Sequence, residues 1–340
     1  MANQAPTTRP LKTAVSDLPA VLAWLRGLRR RQSIASTVIA LALIWLGLSV
    51  ASAHFFTVEN ISNILLQSSP LGLIAGGMTL ALIAAEIDLS VGSVVALIGS
   101  MVALLTVGYH VPWPLAVAAA MVVGVAVGLV NSWFTTRLGM PSFVATLAML
   151  GIARGGALLL TNGQSIYGLP PGFDFIGQGK VGPVPFPVVI AGAVLAAMHF
   201  LLTRTRLGLN IYGVGGNAEA ARLAGVDVRH TKVIVLVLSA VMASLAGLIV
   251  AARLDAGSGT VGEDLLLDSI AGVVIGGTSL LGGVGRISGT VLGVVLIASI
   301  RNGLVLLNVS AFWQQVAIGS IILLAVSLDH LAKGRSPEGS

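Results

Sequence analysis

The stretch LGLIAGGMTLALIAAEIDLSVGSVVALIGSMVALLTV, residues 71–107, holds only two charged side chains, Glu86 and Asp88. They divide an apolar sequence into two runs, 65–84 and 89–107. Each run has about the 20 residues that carry a helix through the hydrocarbon core of a bilayer. Lipid offers no hydrogen-bond partner, so the backbone must satisfy itself, and helices do this within one segment. Strands of a membrane barrel would alternate with period two over about 10 residues, and these runs do not.

Eight more apolar runs lie outside this pair: 34–53, 114–133, 143–160, 187–202, 233–252, 265–283, 287–307 and 312–328. The chain therefore reads as an all-α, polytopic membrane protein with about ten transmembrane helices. Composition agrees. Of 340 residues, 56% are hydrophobic and 9% charged, against about 25% charged in soluble domains. Mean hydropathy is +0.96. Forty-two glycines suit helices packed closely in lipid. There is no cysteine, which excludes disulfides, thiolate metal sites and cysteine nucleophiles.

Two runs need comment. The first ends in Ala51-Ser52-Ala53, similar to a signal-peptidase site. Its apolar core exceeds the usual leader length of about 7–15 residues, so it reads as an uncleaved first span. The eighth, 265–283, holds Gly272, Gly276, Gly277, Gly282 and Gly283, and both a full crossing and a re-entrant path stay open.

Lysine and arginine set the orientation. With the amino terminus inside and ten crossings, fifteen of the 19 cations fall inside. Lys180 and Arg253 fall outside, and Arg154 and Arg301 fall within spans. The expected organisation is a basic cytoplasmic segment 1–33, a membrane domain 34–330 with a cytoplasmic loop 203–232, and a cytoplasmic tail 331–340. Both termini lie inside. The high pI then reflects topology signals beside anionic lipid rather than nucleic-acid binding.

No G-x-x-x-x-G-K-[ST] phosphate loop and no H-E-x-x-H occurs, and the five histidines are scattered. The expectation is no catalytic residue, no metal site, no cofactor and no ATP hydrolysis by this chain. Residues 213–218, GVGGNA, formally match a dinucleotide fingerprint, but a membrane run follows where a βαβ unit is required. Capping reads better. Asn217 can be an N-cap, Glu219 sits in the first turn and Gly225 can be the residue after the C-cap. This predicts a short helix over 218–224. It is either a passive surface helix or a docking element for a cytoplasmic partner. The docking segment comprises Asn217, Ala218, Glu219, Ala220, Ala221, Arg222, Leu223, Ala224 and Gly225.

Carboxylates beside the hydrocarbon core are costly and tend to serve function. Glu86, Asp88, Ser90 and Ser93, with Asn131, Asn302 and Gln314, are the candidates for a polar pathway. Helix capping by Asp88 or Ser90 is the compatible plain reading. Arg154 is read as reaching an interface, and Arg301 needs a partner. The small-residue pairs Gly72/Gly76, Gly124/Gly128, Gly151/Gly155, Gly272/Gly276 and Gly285/Gly289/Gly293 are read as packing within one subunit.

With these residues in hand, the chain resembles the permease subunit of ribose-type bacterial ABC importers for simple sugars. The matching segments are residues 77–80 (GMTL) with 86–93 (EIDLSVGS), 214–225 (VGGNAEAARLAG), 271–280 (AGVVIGGTSL) and 282–285 (GGVG). They cover roughly residues 35–330. Two departures are Ala85-Glu86, where many relatives carry glycines, and the acidic Glu263-Asp264. Both bear on which sugar is carried. The resemblance implies a fold like that of the vitamin B12 importer, in the bacterial inner membrane. It implies two permease subunits around one path, identical or sister chains. It also implies a cytoplasmic ATP-binding subunit, an external sugar-binding protein, and a coupling role for 217–225. The competing readings are an ion-coupled secondary transporter of a small polar solute and an intramembrane enzyme. The first has only Glu86 and Asp88 as carriers, and the second lacks paired catalytic groups.

Overall fold

The computed structural model describes residues 18–334, with side chains described from 35 to 321 and at 323, 324 and 327. The first 17 residues of the basic amino-terminal segment and residues 335–340 of the tail lie outside the described residues. Among the described residues thirteen helices run in order. They are α1 (Leu18–Ala51), α2 (Val58–Ile83), α3 (Val91–Ala103, continued by a π-turn Leu104–Gly108), α4 (Trp113–Arg137) and α5 (Ser142–Thr161). Then come α6 (Phe175–Gln178), α7 (Phe186–Arg204), α8 (Arg206–Gly216), α9 (Ala218–Leu223) and α10 (Val228–Leu254). The last are α11 (Glu263–Ile275), α12 (Ile287–Leu306) and α13 (Ala311–Gly334). Four two-residue strands form two antiparallel pairs. β1 (Ile166–Tyr167) pairs with β4 (Ala256–Gly257), and β2 (Lys180–Val181) with β3 (Val184–Pro185).

Each apolar run overlaps a helix, and seven of the helices are long and apolar enough to cross a membrane. The chain is a polytopic, helical membrane protein. The eighth run departs from the others. Its helix α11 has 13 residues, or about 20 Å at 1.5 Å per residue, too short to span the core. Residues 276–286 beyond it are not helical. Gly277, Gly282 and Gly283 there have φ of 86°, 90° and 71°. Those angles suit glycine and end the helix. The first run also differs in extent, since α1 begins at Leu18, inside the segment read as a cytoplasmic extension.

Helix starts follow local chemistry. Thr57 caps α2 by accepting from the Asn60 N–H at 3.3 Å, and Asp227 caps α10 by accepting from His230 N–H at 2.9 Å. Prolines 112, 141 and 185 stand just before α4, α5 and α7. Pro70 lies inside α2 and takes one N–H from its ladder.

The core is a sandwich of α2, α3 and α10, packed on α4, α11 and α12. Glycine decides several approaches. Gly124 and Gly128 of α4 sit against Ser244 and Val237 of α10. Gly272 of α11 and Gly276 just after it sit against the backbones of Val294 and Gly289 of α12. Gly151 and Gly155 of α5 meet nothing within 4 Å. Interhelical hydrogen bonds add to this packing: Thr79 to Thr290 at 2.6 Å, Trp45 to Ser299 at 2.9 Å, and a reciprocal Asn60–Asn302 amide pair. Large apolar side chains such as Leu46, Val122, Ile152, Phe200 and Trp313 are exposed on the outer helices, as lipid contact requires.

Candidate functional site

Two polar assemblies gather at the end of the molecule where α2 finishes. In the first, Ala85 turns the chain with φ 60° and starts the linker to α3. The linker is stitched to α5: Ile87 N–H donates to Ser142 Oγ at 3.0 Å, and Leu89 N–H to Thr146 Oγ1 at 3.1 Å. Asp88 is fully buried. Its Oδ1 accepts from the Ser90 N–H at 3.0 Å and the Ser90 hydroxyl at 2.6 Å. Asn131 of α4 donates to Ser90 Oγ at 3.1 Å. Asp88, Ser90 and Asn131 therefore form one network that fixes the start of α3 against α4, while Asp88 Oδ2 and Asn131 Oδ1 have no partner among the described residues. Glu86 is also buried but turns elsewhere, to Lys232 Nζ at 2.5 Å near the start of α10.

The other pathway candidates do not join this network. Ser93 is buried on α3. Asn302 pairs with Asn60, near the opposite end of α2. Gln314 donates to the Val309 carbonyl at 2.9 Å and braces the turn into α13.

The second assembly is α8–α9. Asn217 is the N-cap of α9, its Oδ1 accepting from Ala220 N–H at 2.9 Å. Gly225 stops the helix with φ 85°. Both assignments match the capping pattern. Glu219 and Arg222 form an ion pair at 2.5 Å, and the guanidinium holds the Glu219 carboxyl below the usual carboxylate range. Ala221 is buried toward the protein, while Leu223 is 76% exposed beside exposed Ala220 and Ala224.

The GVGG glycines serve packing here, not phosphate. They lie in the last turns of the helix α8, not after a strand. A Cβ on Gly215 would collide with the Ile83 carbonyl, and Gly283 lies beside it. Gly283 N–H donates to that Ile83 carbonyl at 2.9 Å, and Tyr212 Oη donates to Gly285 O at 2.7 Å. The loop 276–286 is therefore wedged between α8 and the end of α2.

A family model described as the permease component of the branched-chain amino acid transport system matches residues 60–326. The chain belongs to this permease family. The ribose import permease RbsC of Escherichia coli K12 is 41% identical over 91% of this chain and 95% of its own length. The xylose transport permease XylH of Haemophilus influenzae is 35% identical, over 86% of this chain and 94% of its own. The ribose import permease of the same organism is 38% identical over 90% and 94%. No solved structure matches the chain.

In this permease the arginines within spans both find acids. Arg154 of α5 pairs with Glu263 and donates to the carbonyls of Thr260 and Val261, in and beside the connection that follows α10. Arg301 of α12 pairs with Asp268 at 2.9 Å and Asp264 at 3.5 Å. Asp268, buried on α11, escaped the sequence reading although it sits within the eighth run. The signal was there: two arginines within spans require two acids, and Glu86 and Asp88 lie in a linker of their own.

Proposed function

We propose that the chain is the membrane-spanning permease subunit of an ATP-driven importer of a monosaccharide, pentose or hexose, in a bacterial inner membrane. The carrying observation is the likeness to ribose and xylose permeases over about nine-tenths of the chain. The chain is the non-catalytic member. ATP hydrolysis resides in a cytoplasmic ATP-binding subunit, and an external binding protein delivers the sugar. Two permease subunits, identical or sister chains, enclose the path, bounded by lipid. The fold is of the vitamin B12 importer kind, with ten crossings, the eighth made by α11 and its loop, and both termini inside.

Residues 217–225 dock on the ATP-binding subunit and receive its motion. Support comes from the exposed Leu223 and from the seating of α8 on the loop 276–286. That loop leads straight into α11, so a push on α9 has a packed route into the membrane domain. Alternating access then follows from rigid elements shifting together. Glu86, Asp88, Ser90 and Asn131 hold the α9 end of the path in register, with Ser93 on the adjoining face of α3.

The test is uptake into proteoliposomes holding the purified complex, with ATP sealed inside and sugar-loaded binding protein outside. Sugar accumulates only with ATP and the binding protein, and ionophores change nothing. Accumulation driven by an ion gradient without ATP would instead establish the ion-coupled carrier.

A further inference from the structure

Where α2, α10, α11, α12 and α13 meet there is an open cleft of about 400 Å³. That volume falls within the range of about 300–1,000 Å³ typical of small-molecule sites. Its polar lining includes Gln67, Arg253, Asp264, Asp268, Arg301 and Gln315. Its apolar lining includes the buried side chains Leu71, Val250 and Ala298. Nothing in the pathway candidates of the sequence lies in it.

Three features decide what it can hold. The first is charge. Glu263, Asp264 and Asp268 line the cleft with Arg253 and Arg301, and Arg154, just outside the lining, pairs with Glu263, so formal charge cancels once that pair is included. An ion of either sign gains no net attraction there. The second is hydrogen-bonding capacity. Gln315 donates to Asp264 Oδ1 at 3.0 Å, and Arg301 bridges Asp264 and Asp268. These bonds fix the carboxylates and guanidinium before any solute arrives, which cuts the ordering cost of binding. Arg301 Nε is buried yet has no partner among the described residues, leaving a donor unused. The third is the apolar lining, which suits the C–H face of a sugar ring. A neutral solute rich in hydroxyls, with one apolar face, satisfies all three.

We propose that this cleft is a low-affinity monosaccharide site on the translocation path, with Asp264, Asp268 and Arg301 as its polar wall. The proposal rests on the sugar-importer reading and deepens it. Asp264 and Asp268 stand on α11, whose other end continues into the loop wedged against α8. Movement transmitted from α9 through that loop shifts the two acids relative to Arg301 on α12. The site is thereby loosened in the step that should release its solute.

The test uses the assembled complex with permease, ATP-binding subunit and binding protein, and D-ribose and D-xylose as probes. Leu254 lines the cleft and is half exposed, so Leu254→Trp fills space without removing core packing. Uptake should fall about tenfold, while ATPase stimulation by the loaded binding protein persists. Gln67→Ala and Gln315→Ala leave every ion pair in place. Each should raise the half-saturating sugar concentration, or change the ribose-to-xylose ratio, by about threefold or more. If the unaltered complex imports sugar with ATP and all three variants match it in rate and ratio, the cleft is not on the path and the proposal fails alone. If the unaltered complex imports neither these pentoses nor D-glucose or D-galactose with ATP, the functional reading fails and takes the proposal with it.

Discussion

The two ends of α11 are held by different chemistry. At its far end, glycine backbones touch: Gly276 on Gly289, Gly283 on Gly216, and Gly215 on the Ile83 carbonyl. At its beginning, charged side chains of α10, α11 and α12 converge on a cleft that α2 and α13 complete with Gln67 and Gln315. The glycine end has no room to yield, since the contacts are backbone against backbone. The charged end has water-accessible space and bonds that can be exchanged. A stiff joint beside the docking helix and an adjustable site beyond it is the order a transmitted motion needs. Packed contacts switch between discrete arrangements, and polar ones re-form around a solute.

The sharpest way to break this contrast is at the charged end. Arg301→Ala leaves Asp268 buried without its counter-charge, at a cost of about 3 kcal/mol. The thermal midpoint of the purified permease should drop by several degrees, and the double variant Arg301→Gln, Asp268→Asn should recover most of it. An unchanged midpoint in Arg301→Ala would show that the pair is ornamental. The glycine end comes next. Gly215→Ala puts a methyl group into the Ile83 carbonyl and should cost about 1–3 kcal/mol. Less ATP-binding subunit should then copurify. Full copurification and normal stability would mean that α8 can shift, and the joint is not stiff.

Asn217→Ala removes one cap from α9 and should cost about 1 kcal/mol locally. The permease should fold normally and lose part of its sugar-stimulated ATPase; complete retention would make the cap dispensable. The smallest effect is expected at Gly151, which touches nothing within 4 Å. Gly151→Ala should leave transport intact and change stability by less than about 1 kcal/mol. A large loss there would place a partner chain against α5.

These ends were not equally readable in the sequence. The membrane helices were, because a 20-residue apolar run leaves few alternatives. So was α9, because Asn217, Glu219 and Gly225 carry its start and stop within nine residues. Asp88, Ser90 and Asn131 were visible as polar residues beside apolar runs, but Ser90 makes no side-chain cap bond to α3, and their joining into one network was not readable. Nor was the cleft. Its polar side chains come from positions as far apart as Gln67 and Gln315, and each looks like an isolated polar residue along the chain. Asp268 lay inside a run that read either as a full crossing or as a re-entrant path. Only the break at Gly276–Gly277, which turns that run into a short helix and a loop, places the acid beside Arg301. The glycines of 213–216 were visible as a pattern, but their purpose depended on the Ile83 carbonyl, far away in sequence.

The central claim is that motion at α9 reaches the cleft through α11. The chain has no cysteine, so Leu254→Cys at the cleft can be followed alone in a complex whose partners are also free of reactive thiols. Its labelling rate by an impermeant thiol reagent should change severalfold when a non-hydrolysable ATP analogue is added. Ala221→Pro, which breaks α9, should abolish that change while leaving the resting rate as it was. A rate at Leu254→Cys that ignores nucleotide, or that responds equally with α9 broken, would contradict the claim.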